Sequence, residues 1–320
     1  MITKEWAIIK KQLKNGVKFL EATSQNTVNS IFNRQNEPFL LQCQVAQRSL
    51  YSRAKRVAHF KALFTMIFAV ISLIASILDV EWLSATSSLM AVVVLIFNKY
   101  SNEYIASNKK RAASIQQYID VTLYAPVIGC SVSDWGEIPN NSDIAVMVSE
   151  YENADTSAME NWYSDYSDLL GDEEVFRCQS ENVRWDYKLH GTFRSFLIIL
   201  LVVVVIAMLT AFIIVDPGFI KLVCVLSWFA PIAEYAYSIY KEVGESIALL
   251  QKTDKLRIEI EEKLKSDSTK TIMQEVIALQ YKIWERRKEG FLIPDWFYEW
   301  HRKKQQKQED QIAKTIQDIN

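Results

Sequence analysis

Apolar residues are concentrated in four stretches of the chain, and the rest of the sequence is largely polar. Residues 62–78 and 82–97 form a first pair, and residues 195–215 and 222–240 form a second pair, each separated by a short polar turn. A helix needs about 20 apolar residues, with a range of about 17 to 25, to cross a bilayer. The pattern therefore predicts two transmembrane helical hairpins; a buried hairpin in a soluble protein is the alternative for the first pair.

The polar segments also carry helical signals. Asn36 and Pro38 are typical of a helix start, and nothing from residue 39 to 78 would end that helix. A helix break is predicted at Ala125-Pro126, and the composition of residues 125–175 favours a small irregular subdomain. The sequence therefore predicts an all-α membrane protein with helical extensions of its spans. Another amphipathic helix is indicated by the spacing of Ile272, Val276, Leu279 and Ile283.

Charge and composition exclude several functions. The chain has 36 Lys and Arg against 38 Asp and Glu, so no global field attracts a nucleic-acid polymer. All 8 glycines are isolated, which excludes a dinucleotide fingerprint and a P-loop. The 4 cysteines and 3 histidines are scattered without metal-ligand spacing. We therefore expect no metal, cofactor, disulfide or catalytic site.

Basic residues predict the orientation of the spans. Fifteen Lys and Arg lie near the outer ends of the two hairpins, whereas only Lys221 lies near a tip. Because basic residues resist translocation, both termini are expected in the cytoplasm. The N-terminus lacks a basic region followed by an apolar core, so no cleaved signal peptide is expected. The predicted regions are cytoplasmic N-terminal helices (1–61), hairpin 1 (62–97), a cytoplasmic middle region (98–194), hairpin 2 (195–240) and cytoplasmic C-terminal helices (241–320).

Small and weakly polar residues form stripes along the predicted spans. Such stripes either let helices pack closely or line water, and both interpretations stay open. Glu234 shares a face with Ser227, Pro231 and Ser238. A charge at membrane depth is costly and usually functional, although Glu234 is near enough to the helix end to reach headgroups. The candidate pore-lining residues are Ser72, Ser76, Ser84, Ser88, Ser227, Glu234 and Ser238.

A polar face lies just before the first span. Gln44, Gln47, Arg48, Tyr51 and Lys55 share one side of the predicted helix. Arginine binds phosphate in a bidentate manner and aromatic rings stack on bases, so this face suits a phosphate-bearing ligand. A solvated or interhelical polar face is the alternative. The candidate ligand-binding residues are Arg34, Gln47, Arg48, Tyr51, Lys55 and Arg184.

Five short segments occur in order around the hairpins: residues 34–36 (RQN), 46–55 (AQRSLYSRAK), 162–165 (WYSD), 178–186 (CQSENVRWD) and 293–298 (IPDWFY). Together with the hairpins, they resemble the four-transmembrane effector family associated with bacterial cyclic-oligonucleotide synthases. The resemblance implies a pore-forming effector of CBASS anti-phage defence in the bacterial inner membrane. It further implies activation by a cyclic oligonucleotide from a partner nucleotidyltransferase, and abortive infection. It carries over no sensing residues.

The residues and the resemblance together predict ligand-gated membrane permeabilisation by a homo-oligomer, since four spans are too few to enclose a wide pore. Three alternatives remain at this point. The chain is a constitutive channel or transporter subunit that uses Glu234, or a non-conducting membrane scaffold. The third is an enzyme with an active site among residues 125–190, where Asp165, Asp168 and Asp186 supply carboxylates.

Overall fold

A computed structural model of the chain describes residues 30–78, 81–169, 171–215, 219–266 and 271–319. Across these residues the fold is all helical, as predicted, with eight α-helices and three short 3₁₀ helices. The α-helices are α1 (Ile31–Arg34), α2 (Pro38–Leu78), α3 (Glu81–Ile128), α4 (Asn141–Val148), α5 (Asp172–Val215), α6 (Phe219–Ser266), α7 (Met273–Glu289) and α8 (Asp295–Ile319). The 3₁₀ helices are Val132–Trp135, Ser149–Tyr151 and Ser157–Met159.

Helices α2 and α3 pack as a long antiparallel hairpin. Near one end, the Phe39 and Tyr118 rings meet edge to face with centroids 6.4 Å apart. Further along, the Lys61 ammonium donates to Asn102 Oδ1 at 2.7 Å. From the first contact to the second, the residue number rises along α2 and falls along α3. The two helices therefore lie side by side and antiparallel over this length.

Helices α5 and α6 form a second antiparallel hairpin with the same orientation. Arg177 donates to Glu261 at 2.9 Å, and Arg194 donates to the Tyr240 hydroxyl at 2.6 Å. At the outer ends of both hairpins, the Ile31 amide of α1 donates to Glu174 Oε1 at 2.7 Å. The two hairpins therefore start together.

Contacts along the helix Met273–Glu289 show their relative direction. From its start to its end, its partners move from Gln179 to Asp186 on α5 and from Asp120 to Lys109 on α3, so the distal halves of both hairpins extend in the same direction.

Helix α7 contacts α3, α5 and α6, so it packs against both hairpins. Its Val276, Leu279 and Ile283 side chains are buried, and Ile272 is buried just before its first residue. The predicted amphipathic helix at this position is confirmed, because apolar residues at steps of three and four align on one helix face.

Two details at the start of the hairpins differ from the sequence predictions. Helix α3 does not break at Ala125-Pro126 but continues to Ile128, with the proline in its last turn. A proline leaves the carbonyl four residues earlier without its helical donor. That carbonyl belongs to Thr122, and Arg34 Nη1 donates to it at 3.3 Å. Asn36 does not act as the expected cap, because its side chain exchanges two hydrogen bonds of 3.0 Å with Asn161.

Within the described ranges, none of the helices combines the length and the apolar character needed to cross a membrane. The four predicted spans and the orientation derived from them therefore stay predictions. Of the predicted hairpin turns, residues 79–80 of the first turn (79–81) and all of the second turn (216–218) lie outside the described residues, and Glu81 is the first residue of α3.

Large apolar side chains are nevertheless exposed along the distal halves of the hairpins. Exposed apolar groups gathered in one region are more informative than single ones, because folding normally removes such surface from water. The exposed side chains on α2, α3 and α5 include Phe60, Leu63, Ile67, Ile71, Leu89, Val92, Leu95, Ile96, Ile199, Val203, Ile206 and Ile213.

The buried Glu174 makes stability depend on pH. Burial raises the pKa of Glu174 to about 7, although the hydrogen bond from the Ile31 amide lowers it. The folded protein therefore holds this proton up to about pH 7, whereas the unfolded chain releases it near pH 4.5. Since the folded state binds more protons between these values, this residue makes stability fall as pH rises from about 4.5 to 7.

We predict that Glu174→Gln removes roughly 2–3 kcal/mol of this pH-dependent loss, because glutamine still accepts the Ile31 hydrogen bond without a charge. The check is denaturant unfolding of the purified protein at pH 5 and pH 8. Glu262→Gln, an exposed change on α6, is the control and should leave the pH dependence as it is. Equal pH dependence in all three proteins would contradict the assignment.

Candidate ligand-binding pocket between α2, α5, α7 and α8

A pocket of about 200 Å³ lies where α2, α5, α7 and α8 meet. Typical small-molecule sites measure about 300–1,000 Å³, so this pocket is smaller than most of them. Its lining combines cationic, amide and aromatic side chains. Among the lining residues are Gln47, Tyr51, Lys55, Trp185, Asp186, His190, Arg286, Arg287, Tyr298 and Arg302.

Helix α2 contributes Gln47, Tyr51 and Lys55, which are three of the six predicted ligand-binding residues. Their spacing of four residues places them on one helix face. The Tyr51 hydroxyl is buried and has no hydrogen-bond partner among the described residues. Burial raises the pKa of Tyr51 to about 12, so the hydroxyl keeps its proton. A buried hydroxyl without a partner costs about 1–3 kcal/mol, and a ligand acceptor would offset that cost.

Helix α7 ends in two buried arginines that line the pocket. Arg286 pairs with Asp186 of α5, and Arg287 Nη1 lies 2.5 Å from Asp120 Oδ2 of α3. Both side chains of the second pair are less than 5% exposed. Burial of a charge is tolerated only where it is paired and hydrogen-bonded, so this carboxylate fixes the position of Arg287.

Asp120 is the centre of a buried hydrogen-bond network beneath the pocket. Its Oδ1 accepts from the Tyr163 hydroxyl at 2.9 Å, and its Oδ2 accepts from Gln280 Nε2 at 2.9 Å. The Tyr163 and Tyr124 hydroxyls are 2.7 Å apart. The network joins α3, α7 and the segment before α5, and through Asp120 it holds Arg287 of the pocket lining in one arrangement.

Glu181 also lines the pocket, which matters for an anionic ligand. Burial raises the pKa of Glu181 to about 8, while the hydrogen bond from the Ser164 amide at 3.2 Å lowers it. At neutral pH this carboxyl is therefore mostly protonated and does not repel an anion. The nearby pocket wall is aromatic, with the Trp185 and Tyr298 rings 6.1 Å apart.

The remaining three candidate ligand-binding residues lie outside this pocket. Arg34 donates to Glu37 at 2.9 Å and to the Thr122 carbonyl, which is a structural role. Arg48 pairs with Glu299 of α8 on the exposed surface. Arg184 pairs with Glu309 of α8 at 2.6 Å and lines a separate groove between α5 and α8.

The candidate pore-lining residues are mostly beyond what the structure describes. The backbones of six of them lie in helices, but their side chains fall outside the described part of the chain. These six are Ser72, Ser76, Ser84, Ser88, Ser227 and Glu234. The seventh, Ser238, is exposed and donates to Glu242 Oε1 at 3.4 Å.

Several pocket residues were missed in the sequence analysis. Arg286 and Arg287 belong to the run 285–288 (ERRK) at the end of α7. Cations at a helix C-terminus are common because they complement the helix dipole, so the run carried no specific signal. His190 was noted only as a scattered histidine; its Nδ1 and Nε2 lie 2.8 and 3.3 Å from the carbonyl oxygens of Asp186 and Phe291.

Two long helical hairpins, joined by a helix at their polar ends and carrying a pocket lined by charged and aromatic side chains, define an all-helical protein with a candidate ligand site. Comparison of the chain with known protein families identifies this class. The chain belongs to the SMODS-associating 4TM effector domain family, whose model matches residues 29–317. This confirms the family resemblance stated from the sequence. Neither the curated proteins nor the solved structures that were compared contain a match.

We predict that the losses from removing the two partners of the buried pair are strongly non-additive. Asp120→Asn leaves the Arg287 charge unpaired in the interior and should cost about 3–5 kcal/mol of stability. Arg287→Leu leaves the Asp120 charge unpaired and should cost a similar amount. The double variant should lose clearly less than the sum, as measured by denaturant unfolding. Additive losses would show that the two charges do not interact.

Proposed function

We propose that the chain is a bacterial inner-membrane effector of anti-phage defence that permeabilises the membrane when a cyclic oligonucleotide binds the pocket. Membership of the SMODS-associating 4TM effector domain family supports an effector role in nucleotide signalling. In this proposal the chain acts by binding and rearrangement, without catalysis. The partner nucleotidyltransferase supplies the ligand, and the resulting loss of the membrane barrier causes abortive infection.

The exposed apolar surface supports contact with lipid. Apolar side chains on α2, α3 and α5 lie exposed on the distal halves of hairpins that extend in the same direction. Soluble monomers rarely expose contiguous apolar patches of more than a few hundred Å². In a bilayer such side chains are in contact with hydrocarbon, so the predicted spans at 62–97 and 195–240 remain part of the proposal, with both termini in the cytoplasm.

The chemistry of the pocket supports an anionic, base-containing ligand, and this is the observation that carries the proposal. Lys55 and Arg286 supply positive charge, and the unpartnered Tyr51 hydroxyl supplies a donor for a phosphate oxygen. Trp185 and Tyr298 supply aromatic faces on which bases stack, which is worth about 1–3 kcal/mol per base.

Permeabilisation requires several copies, because helices of one chain enclose no wide aqueous path. Self-association is therefore part of the proposal. A shift from about 1% to 99% open needs about 5.5 kcal/mol of differential ligand affinity per switching unit. Charge-assisted hydrogen bonds contribute about 1.5–3 kcal/mol each, so two to four new contacts in the open state are enough.

We predict that Lys55→Ala raises the nucleotide concentration needed for half-maximal leak at least about ten-fold, since one charge-assisted contact is lost. The measurement is release of a fluorescent dye from liposomes containing the full chain. The probes are cyclic di-AMP, cyclic di-GMP, cyclic GMP-AMP and cyclic tri-AMP. Lys61→Ala is the matched control, because Lys61 is also on α2 but bonds to Asn102 outside the pocket.

The same assay separates the alternatives. Leak without nucleotide, abolished by Glu234→Ala, would favour a constitutive channel. Intact liposomes with every probe would favour a non-conducting scaffold. Equal responses of the Lys55 and Lys61 variants would remove the pocket from the proposal.

A further inference from the structure

Each of the four arginines and lysines that line the pocket already has a carboxylate partner within the chain. Arg286 and Arg287 are paired with Asp186 and Asp120 in the interior. On the surface, Lys55 Nζ donates to Asp295 Oδ1 at 2.6 Å. Glu299 pairs with Arg302 of the pocket lining at 3.9 Å and with Arg48, which lies outside the pocket. An anionic ligand of the proposed kind must therefore compete with carboxylates for these cations.

Burial decides which carboxylates a ligand displaces. Separating the pair of Arg287 and Asp120 leaves two uncompensated charges in the interior, which is prohibitive. The pairs made by Asp295 and Glu299 are different, because these two side chains are 52% and 44% exposed. Exposed ion pairs contribute little to stability, so an incoming phosphate replaces them easily.

Both displaceable carboxylates lie on the first turns of α8. Asp295 and Glu299 are four residues apart, on one helix face. They face a matching α2 surface, where Asp295 also accepts from the Ser52 hydroxyl at 2.9 Å. Burial opposes ionisation of Asp295, but the hydrogen bond and charge of Lys55 outweigh it and lower the pKa of Asp295. This carboxyl is therefore a permanent anion at neutral pH.

We propose that Asp295 and Glu299 occupy the positions of two ligand phosphates in the resting protein, and that ligand binding releases the start of α8 from α2. The inference rests on the proposed function for the identity of the ligand, but the anion exchange itself does not. The Tyr51 hydroxyl, one turn from Lys55 on α2, is buried without a hydrogen-bond partner among the described residues, and it is a further donor that a phosphate in the pocket gains.

Release of this turn would act directly on α5. Phe297 is 1% exposed, and its ring lies edge to face with Phe193 of α5 at 5.0 Å. Trp296 meets Phe196 of α5 at 5.6 Å. Phe196 directly precedes the apolar run of residues 197–206. A change at the start of α8 therefore reaches the beginning of the proposed membrane segment without any intermediate element.

The test uses inorganic triphosphate as the anionic probe and the purified full chain. The double variant Asp295→Asn/Glu299→Gln frees Lys55, Arg48 and Arg302 and should bind triphosphate about five-fold more tightly or better. The control Asp318→Asn/Glu262→Gln changes the net charge equally, at exposed positions away from the pocket, and corrects for the general field of the protein. Isothermal titration calorimetry gives the affinities.

Hydrogen–deuterium exchange supplies a second readout on the unmodified chain. Triphosphate should increase amide exchange across residues 295–303, and the double variant should show the increase without the probe. The inference is overturned if the double variant binds triphosphate no more tightly than its control, or if triphosphate leaves α8 exchange unchanged. Should these results hold while no cyclic nucleotide causes leak, only the proposed function fails.

Discussion

The buried pair between Asp120 and Arg287 fixes the relative positions of the elements that form the pocket. Asp120 is on α3, and Arg287 is on α7, which packs against both hairpins. Because an interior charge cannot stay unpaired, the end of α7 has one acceptable position relative to α3. Arg286, the neighbouring residue, is thereby directed to Asp186 on α5. The positions of the neighbouring residues Arg286 and Arg287 thus determine the geometry of this side of the pocket.

Much of the helical framework could be predicted from the sequence, since its signals are local. Pro38 begins α2 as expected, and the apolar spacing around Val276 and Leu279 identifies α7. The predicted end of α3 was wrong. Pro126 deprives the Thr122 carbonyl of its helical donor, and the sequence does not show that Arg34 replaces this donor. That compensation joins residues 88 positions apart in the chain.

The candidate site was predictable only as far as a single helix face allowed. Gln47, Tyr51 and Lys55 lie together because helical periodicity places them so. The partners of that face come from residues 185–190, 286–287 and 291–302, and their meeting depends on tertiary packing. Arg48, Arg34 and Arg184 satisfied the same chemical criterion but bind carboxylates or a carbonyl elsewhere, so charge alone did not identify the pocket.

The continuity of α5 has a mechanical consequence. The helix is 44 residues long, so its axis measures about 66 Å. Trp185 and His190, which line the pocket, belong to the same uninterrupted rod as Val215 at its far end. A small tilt of the α5 axis beside the pocket therefore displaces each residue in proportion to its distance from the pocket, so the apolar end moves furthest.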